Sequence, residues 1–194
     1  MRIFVAVEID ETVRRRVARV SRALAAALEQ GRDRPGVAWV APHNLHLTLQ
    51  FLGDIDAPAL EAVKSRLAPP FAAPPFEVAL SGLGTFPSAG PPRVIWLGVG
   101  DGAKALSDLY REVGWRLTGL GFPRDARGFH AHLTLGRIKA RVAPRLRDGM
   151  AAAGAADAGR CLVDRVTLVE SRLSPSGATY SVVATSRLGY HHTS

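Results

Sequence analysis

The sequence has little cysteine and no long apolar run, and each shortage excludes a class of protein. Cys161 is the single cysteine among 194 residues, so no internal disulfide can form and the chain suits a reducing compartment. No stretch approaches the roughly 20 apolar residues that cross a bilayer. The short apolar start, which Glu8 interrupts, is too brief for a secretory signal. We therefore expect a cytoplasmic protein without membrane contact, in which Cys161 is a buried structural thiol.

Lysine is also scarce, because only three of the 25 cationic residues are lysines and the rest are arginines. The net charge of +8 makes a polyanionic partner such as RNA plausible on electrostatic grounds. Arginine favours this interpretation further, since its planar guanidinium matches phosphate oxygens better than an ammonium does. A GC-rich genome would produce the same excess of arginine over lysine, so the charge alone does not separate the two explanations.

The composition is otherwise that of a globular domain with a substantial core, at 47% hydrophobic and 22% charged residues. Apolar spacing predicts helices at Glu11–Gln30, Asp56–Leu67, Ala103–Leu120 and Pro144–Ala156, and strands at Arg2–Ile9, Val37–Val40, Leu45–Phe51, Phe76–Leu83, Val94–Val99, Phe129–Ile138, Leu162–Arg172 and Thr179–Leu188. This order lacks a regular strand–helix alternation, which favours an α+β fold with largely antiparallel pairing. No long linker interrupts the chain, so we expect residues 1–194 to form a single bilobal domain.

The tetrapeptide His-Leu-Thr-Leu occurs twice, at His46–Leu49 and at His132–Leu135, in a chain with only six histidines. Each copy has the alternation of a β-strand. Strict alternation predicts that one face carries His46, Thr48 and Gln50, and that the other carries Leu45, Leu47, Leu49 and Phe51. In the second copy, His132 and Thr134 lie opposite Leu133 and Leu135. Each copy also follows a helix and a loop, which predicts two similar lobes that face each other across a cleft.

Two imidazoles and two hydroxyls in one cleft indicate acid–base chemistry on a phosphodiester. The unperturbed histidine pKa of about 6.5 allows one ring to accept a proton while the other supplies one near neutral pH. Thr48 and Thr134 can donate hydrogen bonds to the phosphate oxygens and stabilise the charge of the transition state. Because this chemistry needs no metal, we predict that the protein has no cofactor.

Two blocks, Trp39–Gly53 and Phe129–Arg137, resemble the motif blocks of the 2H phosphoesterase superfamily, and within it the 2'-5' RNA ligase or RNA 2',3'-cyclic phosphodiesterase family. The resemblance covers nearly the whole chain. It implies two pseudo-symmetric lobes of antiparallel sheet, with helices outside and a central cleft. It also implies hydrolysis of 2',3'-cyclic phosphate ends to 2'-phosphates, and a reverse reaction that joins RNA ends through a 2'-5' bond.

The same resemblance suggests individual roles. His46 would donate a proton to the leaving 3' oxygen and His132 would be the base for water, although the residues alone leave this order open. Arg137 closes the second block and becomes a candidate phosphate ligand, even though strict alternation from His132 points its side chain to the opposite face. The expected partners are RNA ends or nucleotides that carry a 2',3'-cyclic phosphate, and the expected state is a monomer.

Two interpretations of other classes remain open. His43, His46, His130 and His132 have spacings that would suit a four-histidine metal site, although such a site does not explain the paired threonines. A non-catalytic RNA-binding module would keep the cleft for binding alone. Phe4 and Phe51 could stack on a nucleobase, but we expect both to pack in the core.

Overall fold

The chain folds around one antiparallel sheet whose two halves each carry one copy of the repeated tetrapeptide. The computed structural model describes residues 1–29, 36–122, 128–139, 145–153, 156–174 and 177–189. Within these ranges the strands are β1 Arg2–Glu8, β2 Val37–Trp39, β3 His46–Asp54, β4 Phe76–Phe86, β5 Val94–Val99, β6 His132–Ile138, β7 Asp157–Val163, β8 Arg165–Ser174 and β9 Gly177–Arg187. The helices are α1 Glu11–Glu29, α2 Ala57–Leu67, α3 Ala103–Arg116 and α4 Arg145–Ala152, and a short 3-10 helix, Pro42–Asn44, precedes β3.

The strand order is β7-β4-β5-β6-β3-β1-β8-β9, with β2 paired to β6, and every pairing between these strands is antiparallel. We call β3, β1, β8 and β9 the first lobe, and β6, β5, β4 and β7 the second lobe. The two lobes meet where β3 pairs with β6, at Leu47 opposite Leu133. The predicted α+β fold with two pseudo-symmetric halves is confirmed, and the two motif strands are direct neighbours at its centre.

The helices cover one face of the sheet and create the main core there. Buried leucines and valines of α1 and α3 recur three, four or seven residues apart, as an amphipathic helix requires; they are Val13, Val17, Leu24 and Leu28 in α1, and Leu106, Leu109 and Val113 in α3. Asp10 caps α1 by accepting a hydrogen bond from the Val13 N–H at 2.9 Å, and Asp56 caps α2 in the same way. On the opposite face, which we call the cleft face, the described residues form a small separate cluster of Phe4, Ala6 and Val169 packed with Tyr180.

One predicted strand, Leu162–Arg172, is wrong because the structure contains two strands there, β7 and β8, with Asp164 between them. The beginning of β7 was missed because Asp157, Gly159 and Arg160 have little strand propensity. Pairing with β4, where Ser81 lies opposite Asp157 and Phe76 opposite Val163, overrides that local preference.

The predicted strand Phe76–Leu83 is longer than expected, because β4 continues through Gly84 to Phe86. Gly84 is required inside this strand, since a Cβ at that position would overlap the indole ring of Trp96 on β5. The ring therefore lies flat across the sheet on the cleft face of the second lobe.

Cys161 is buried, as expected for a structural thiol, and burial raises its pKa to about 11, so it carries no reactive thiolate near neutral pH. In the described part of the chain, no helix has the length and apolar character needed to cross a membrane.

Candidate active site

The pairing of β3 with β6 brings the two histidine–threonine pairs together. Leu47 and Leu133 are opposite each other and both point into the core. Extending this antiparallel register by one residue sets His46 across from Thr134, and Thr48 across from His132. All four side chains lie on the cleft face, because neighbouring residues of a strand alternate between faces. An approximate twofold axis therefore passes between the two leucines and exchanges one histidine–threonine pair for the other.

Each motif strand has a β-bulge at the same place, immediately after its threonine. The register jumps from Thr48 to Gln50 in β3, and from Thr134 to Gly136 in β6. A bulge places two consecutive residues on one side of the sheet and reverses the alternation beyond them. The burial pattern agrees, since Leu49 and Gln50 are both buried in β3, as are Leu135 and Gly136 in β6.

Because of the bulges, three residues lie on the face of the sheet opposite to the one that strict alternation predicts. Phe51, expected in the core, is 58% exposed on the cleft face, with its ring 5.9 Å from that of Phe4. Gln50, expected beside His46, is buried on the helical side, where it lines a cavity of about 490 Å³ with Gly114 of α3 and residues that follow this helix. Arg137 is exposed on the cleft face with His132, although strict alternation points it away. Phe51 and Arg137 are thus pseudo-symmetric equivalents.

The two imidazoles are anchored in the same way. His46 Nδ1 lies 2.7 Å from the carbonyl oxygen of Asn44, and His132 Nδ1 lies 2.7 Å from the carbonyl oxygen of His130. A carbonyl can only accept, so each Nδ1 carries the hydrogen, and Nε2 is the atom that gains or loses a proton. His46 Nε2 also lies 2.9 Å from Thr48 Oγ1, whereas the described residues show no such contact between His132 and Thr134.

Aromatic side chains surround both rings. Phe4 stacks on His46 at a centroid distance of 4.7 Å, and Tyr180 meets the same ring edge-on at 5.4 Å. In the second lobe, Phe86 meets the ring of His132 edge-on at 5.0 Å, and Trp96 lies 6.3 Å from it. Phe4 is buried in the small cluster of the cleft face, and not in the main core. No sequence pattern indicated a role for Phe86, Trp96 or Tyr180, because each is distant from the motifs along the chain.

The pKa values of both histidines are lowered. Burial is the largest cause for each, and the backbone carbonyl at Nδ1 opposes it. The positive charge of Arg137 lowers the pKa of both rings, so this one guanidinium acts on the histidine of each lobe. His132 further lowers the pKa of His46, and His130 further lowers that of His132.

The four-histidine metal site is not formed. His43 and His130 are both exposed, and among the described residues no three His, Cys, Asp or Glu side chains are grouped closely enough to hold a metal ion. His130 lies beside His132, with ring centroids 6.1 Å apart, but it packs edge-on against Trp96 at 4.9 Å.

The chain is similar to proteins of one family over most of its length. The sequence model of the family described as LigT like Phosphoesterase matches residues 8–96 and again residues 97–180. An RNA 2',3'-cyclic phosphodiesterase of Archaeoglobus fulgidus is 37% identical over 180 residues, which is 93% of this chain and 96% of the relative. One of Methanothermobacter thermautotrophicus is 35% identical over 193 residues, or 97% and 99% of the two chains.

Solved structures have the same fold. A crystal structure of a Thermus thermophilus protein superposes with a TM-score of 0.73 at 31% identity, over 99% of this chain and 100% of that one. The apo form of Escherichia coli LigT superposes with a TM-score of 0.71 at 25% identity, over 97% and 98%. The duplicated match and the paired motifs agree with the two pseudo-symmetric lobes. The chain therefore belongs to the family of LigT-like phosphoesterases.

Proposed function

We propose that the protein is an RNA 2',3'-cyclic phosphodiesterase that opens a terminal cyclic phosphate to a 2'-phosphate. The observation that carries the proposal is the pair of imidazoles, each anchored at Nδ1 and each related to the other by the twofold axis between Leu47 and Leu133. Curated relatives with this activity in their names, at 35–37% identity over nearly the whole chain, support the same conclusion.

The reaction needs one base and one acid. His132 Nε2 accepts a proton from water while the water oxygen bonds to phosphorus. The bond between phosphorus and the 3' oxygen breaks on the opposite side, and His46 Nε2 gives its proton to that oxygen. The products are a 2'-phosphate and a free 3' hydroxyl. Solvent then returns a proton to His46 and removes one from His132, which restores the starting state.

The phosphate is held by groups from both lobes. Thr48 and Thr134 donate hydroxyl hydrogen bonds to the non-bridging oxygens, and the guanidinium of Arg137 neutralises the charge that develops there. The electrostatic proximity of Arg137 to both imidazoles supports this role, since a phosphate between the two rings lies within reach of the same cation. Thr48 Oγ1 contacts His46 Nε2 in the free protein. When Nε2 is protonated it donates to this oxygen, which leaves the hydroxyl hydrogen free to bond to the phosphate.

The difference between Phe51 and Arg137 supports one assignment of acid and base to the two histidines. The leaving 3' oxygen belongs to the nucleoside, so the acid must stand on the side where the nucleoside binds. Phe51, exposed beside Phe4 in the first lobe, offers an aromatic surface on which a base can stack. At the equivalent point the second lobe offers a cation. The nucleoside therefore lies over the first lobe, which makes His46 the acid and His132 the base.

The natural substrates in this proposal are RNA ends with a 2',3'-cyclic phosphate, met in the cytoplasm by a monomeric enzyme. The test is turnover of a short RNA with that end, with chromatography that separates the 2'-phosphate from the 3'-phosphate. We expect only the 2'-phosphate, at the same rate with and without EDTA. The double variant His46→Ala/His132→Ala is the matched control for contaminating nucleases. Absence of turnover, a 3'-phosphate product, or loss of activity in EDTA that zinc restores would contradict the proposal.

A further inference from the structure

Asn44 connects His46 to a strand on the far edge of the first lobe. Its backbone carbonyl accepts the hydrogen bond from His46 Nδ1. Its side chain is only 6% exposed, and Nδ2 donates to the carbonyl oxygen of Ala178 on β9 at 2.7 Å. A buried side-chain amide that is tied to another strand holds its own backbone in place. The acceptor of the His46 hydrogen bond is thus fixed by a contact that does not involve β3.

The segment that carries this carbonyl is too short to fix itself. The 3-10 helix Pro42–Asn44 is a single turn, and such turns have poor internal hydrogen bonds. Arg14 of α1 holds its first part, with Nη1 donating to the His43 carbonyl at 3.1 Å and Nη2 to the Ile9 carbonyl at 3.0 Å. The Asn44 side chain is the corresponding attachment at the end next to His46.

The same hydrogen bond also positions an aromatic residue that packs against His46. Tyr180 lies two residues beyond Ala178 on β9 and meets the rings of both His46 and Phe4 edge-on. The bond from Asn44 to Ala178 therefore fixes the carbonyl at Nδ1 and the strand that carries Tyr180 relative to each other. Both determine the direction in which His46 Nε2 points.

Among the described residues, the second lobe shows no equivalent of this side-chain hydrogen bond. His130 occupies the position equivalent to Asn44, two residues before His132, and its carbonyl accepts from His132 Nδ1. Its side chain is exposed and packs on Trp96 and Phe86, and the described residues show no hydrogen bond from it to another strand. In both lobes a backbone carbonyl accepts a hydrogen bond from the histidine Nδ1. The described residues show a side-chain hydrogen bond that fixes this carbonyl only in the first lobe.

We propose that Asn44 is a positioning residue for His46: its side-chain amide, by holding the Ala178 carbonyl, fixes the backbone carbonyl that keeps His46 in the Nδ1–H tautomer with Nε2 toward the cleft. The importance of this for turnover rests on the proposed function, in which His46 must deliver its proton to one particular oxygen. A small displacement of a catalytic group costs a large factor in rate, so the tether matters for kcat more than for substrate binding.

The experiment combines kinetics with imidazole NMR on the full chain. Asn44→Ala removes the tether, and Asn44→Leu removes it while keeping much of the volume. We expect kcat to fall on the order of 10-fold or more while KM changes less than about twofold. Long-range ¹H–¹⁵N spectra of the neutral state should show His46 as a single Nδ1–H tautomer in the wild type and as a tautomer mixture in both variants. His132 should stay unchanged in the same samples.

Two variants serve as matched controls. Ser186→Ala removes another buried side-chain hydrogen bond of β9, to the Leu67 carbonyl, without touching the His46 environment. Ser186→Ala should lower thermal stability about as much as the Asn44 variants do, and it should leave kcat and the tautomers of both histidines as in the wild type. His130→Ala should leave the His132 tautomer unchanged, because the described residues show no side-chain hydrogen bond that tethers that site.

The proposal is overturned if Asn44→Ala and Asn44→Leu keep the wild-type tautomer of His46, whatever happens to kcat. It is equally overturned if Ser186→Ala lowers kcat as much as they do, because the effect would then be one of stability alone. The tautomer measurement does not depend on turnover. An inactive wild type would thus contradict the proposed function and still leave the role of Asn44 decided by the spectra.

Discussion

The first lobe places the aromatic ring of Phe51 where the second lobe places the guanidinium of Arg137. Up to that point the two motif strands are matched: the same tetrapeptide, the same bulge, and the same carbonyl bond to each histidine Nδ1. The shared parts are those that any proton transfer at phosphorus requires. The first difference on the cleft face of the two strands is one between an apolar surface and a charge. In the proposed mechanism, symmetry supplies the paired proton-transfer groups, and the difference between Phe51 and Arg137 distinguishes the side of the nucleoside from the side of the water.

The largest expected effect comes from removing either of the two histidines, which are common to both lobes. His46→Ala and His132→Ala should each lower kcat for cyclic phosphate opening by at least ~10²-fold, the usual scale for loss of a general acid or base. Steady-state rates on a 2',3'-cyclic nucleotide measure this, with circular dichroism melting curves to verify folding. A folded single variant with nearly wild-type turnover would contradict the two-histidine mechanism.

Substitution of the two residues that differ between the lobes, Arg137 and Phe51, should separate an effect on the chemical step from an effect on substrate binding. Arg137→Ala should lower kcat by roughly 10- to 100-fold, because a charged hydrogen bond that strengthens in the transition state contributes about 1.5–3 kcal/mol. Phe51→Ala should act mainly on KM, raising it about 5-fold or more, since stacking of a base on an aromatic ring contributes about 1–3 kcal/mol and is made equally in the ground state. Kinetics on a cyclic nucleotide give both constants. Effects of the opposite kind, on KM for Arg137 and on kcat for Phe51, would show that the nucleoside lies over the second lobe.

The threonines should give smaller and unequal losses. Thr48→Ala and Thr134→Ala each remove one hydroxyl hydrogen bond to phosphate, which is about 1 kcal/mol or roughly a factor of five to ten in kcat/KM. Thr48 also contacts His46 Nε2 in the free protein, so its removal should in addition change the pKa of His46. NMR titration of the His46 ring detects that change. Thr134→Ser, which keeps the hydroxyl, is the control and should retain nearly full activity. If the serine variant were as impaired as the alanine variant, the methyl group and not the hydroxyl would be the important part.

The smallest effect concerns pH. Burial and then neighbouring cations lower the pKa of both histidines, so both fall below the ordinary 6.5. Activity needs one ring protonated and one neutral, and the bell of kcat/KM should therefore have its maximum on the acid side of pH 6.5. Activity should decline as the pH rises through 7, because the acid loses its proton. Arg137→Gln removes one of the cations and should move the maximum upward. A wild-type maximum above pH 7 would contradict the lowered pKa values.

The repeated tetrapeptide was sufficient to predict the paired motif strands and the shared face of His46, Thr48, His132 and Thr134, because alternation over three residues is a local property. The order of the predicted helices and strands was sufficient to predict the α+β fold. The tetrapeptide was not sufficient beyond Thr48 and Thr134. A bulge depends on how a strand meets its neighbour, so neither the exposure of Phe51 nor the direction of Arg137 could be derived from alternation. The aromatic residues around the histidines come from β1, β4, β5 and β9, and only the sheet order brings them together. The beginning of β7 was hidden for the same reason, since its pairing with β4 is a long-range contact.

The division of labour between the lobes is tested most directly by a substrate whose leaving group needs no acid. In a cyclic phosphate with sulfur in place of the bridging 3' oxygen, the departing thiolate leaves without a proton, whereas the water still needs its base. We predict that His46→Ala recovers to within about 10-fold of the wild-type rate on this substrate, while His132→Ala stays at least ~10²-fold slower. Recovery of His132→Ala and not of His46→Ala would reverse the assignment of acid and base. Recovery of neither variant would contradict the separation of the two roles.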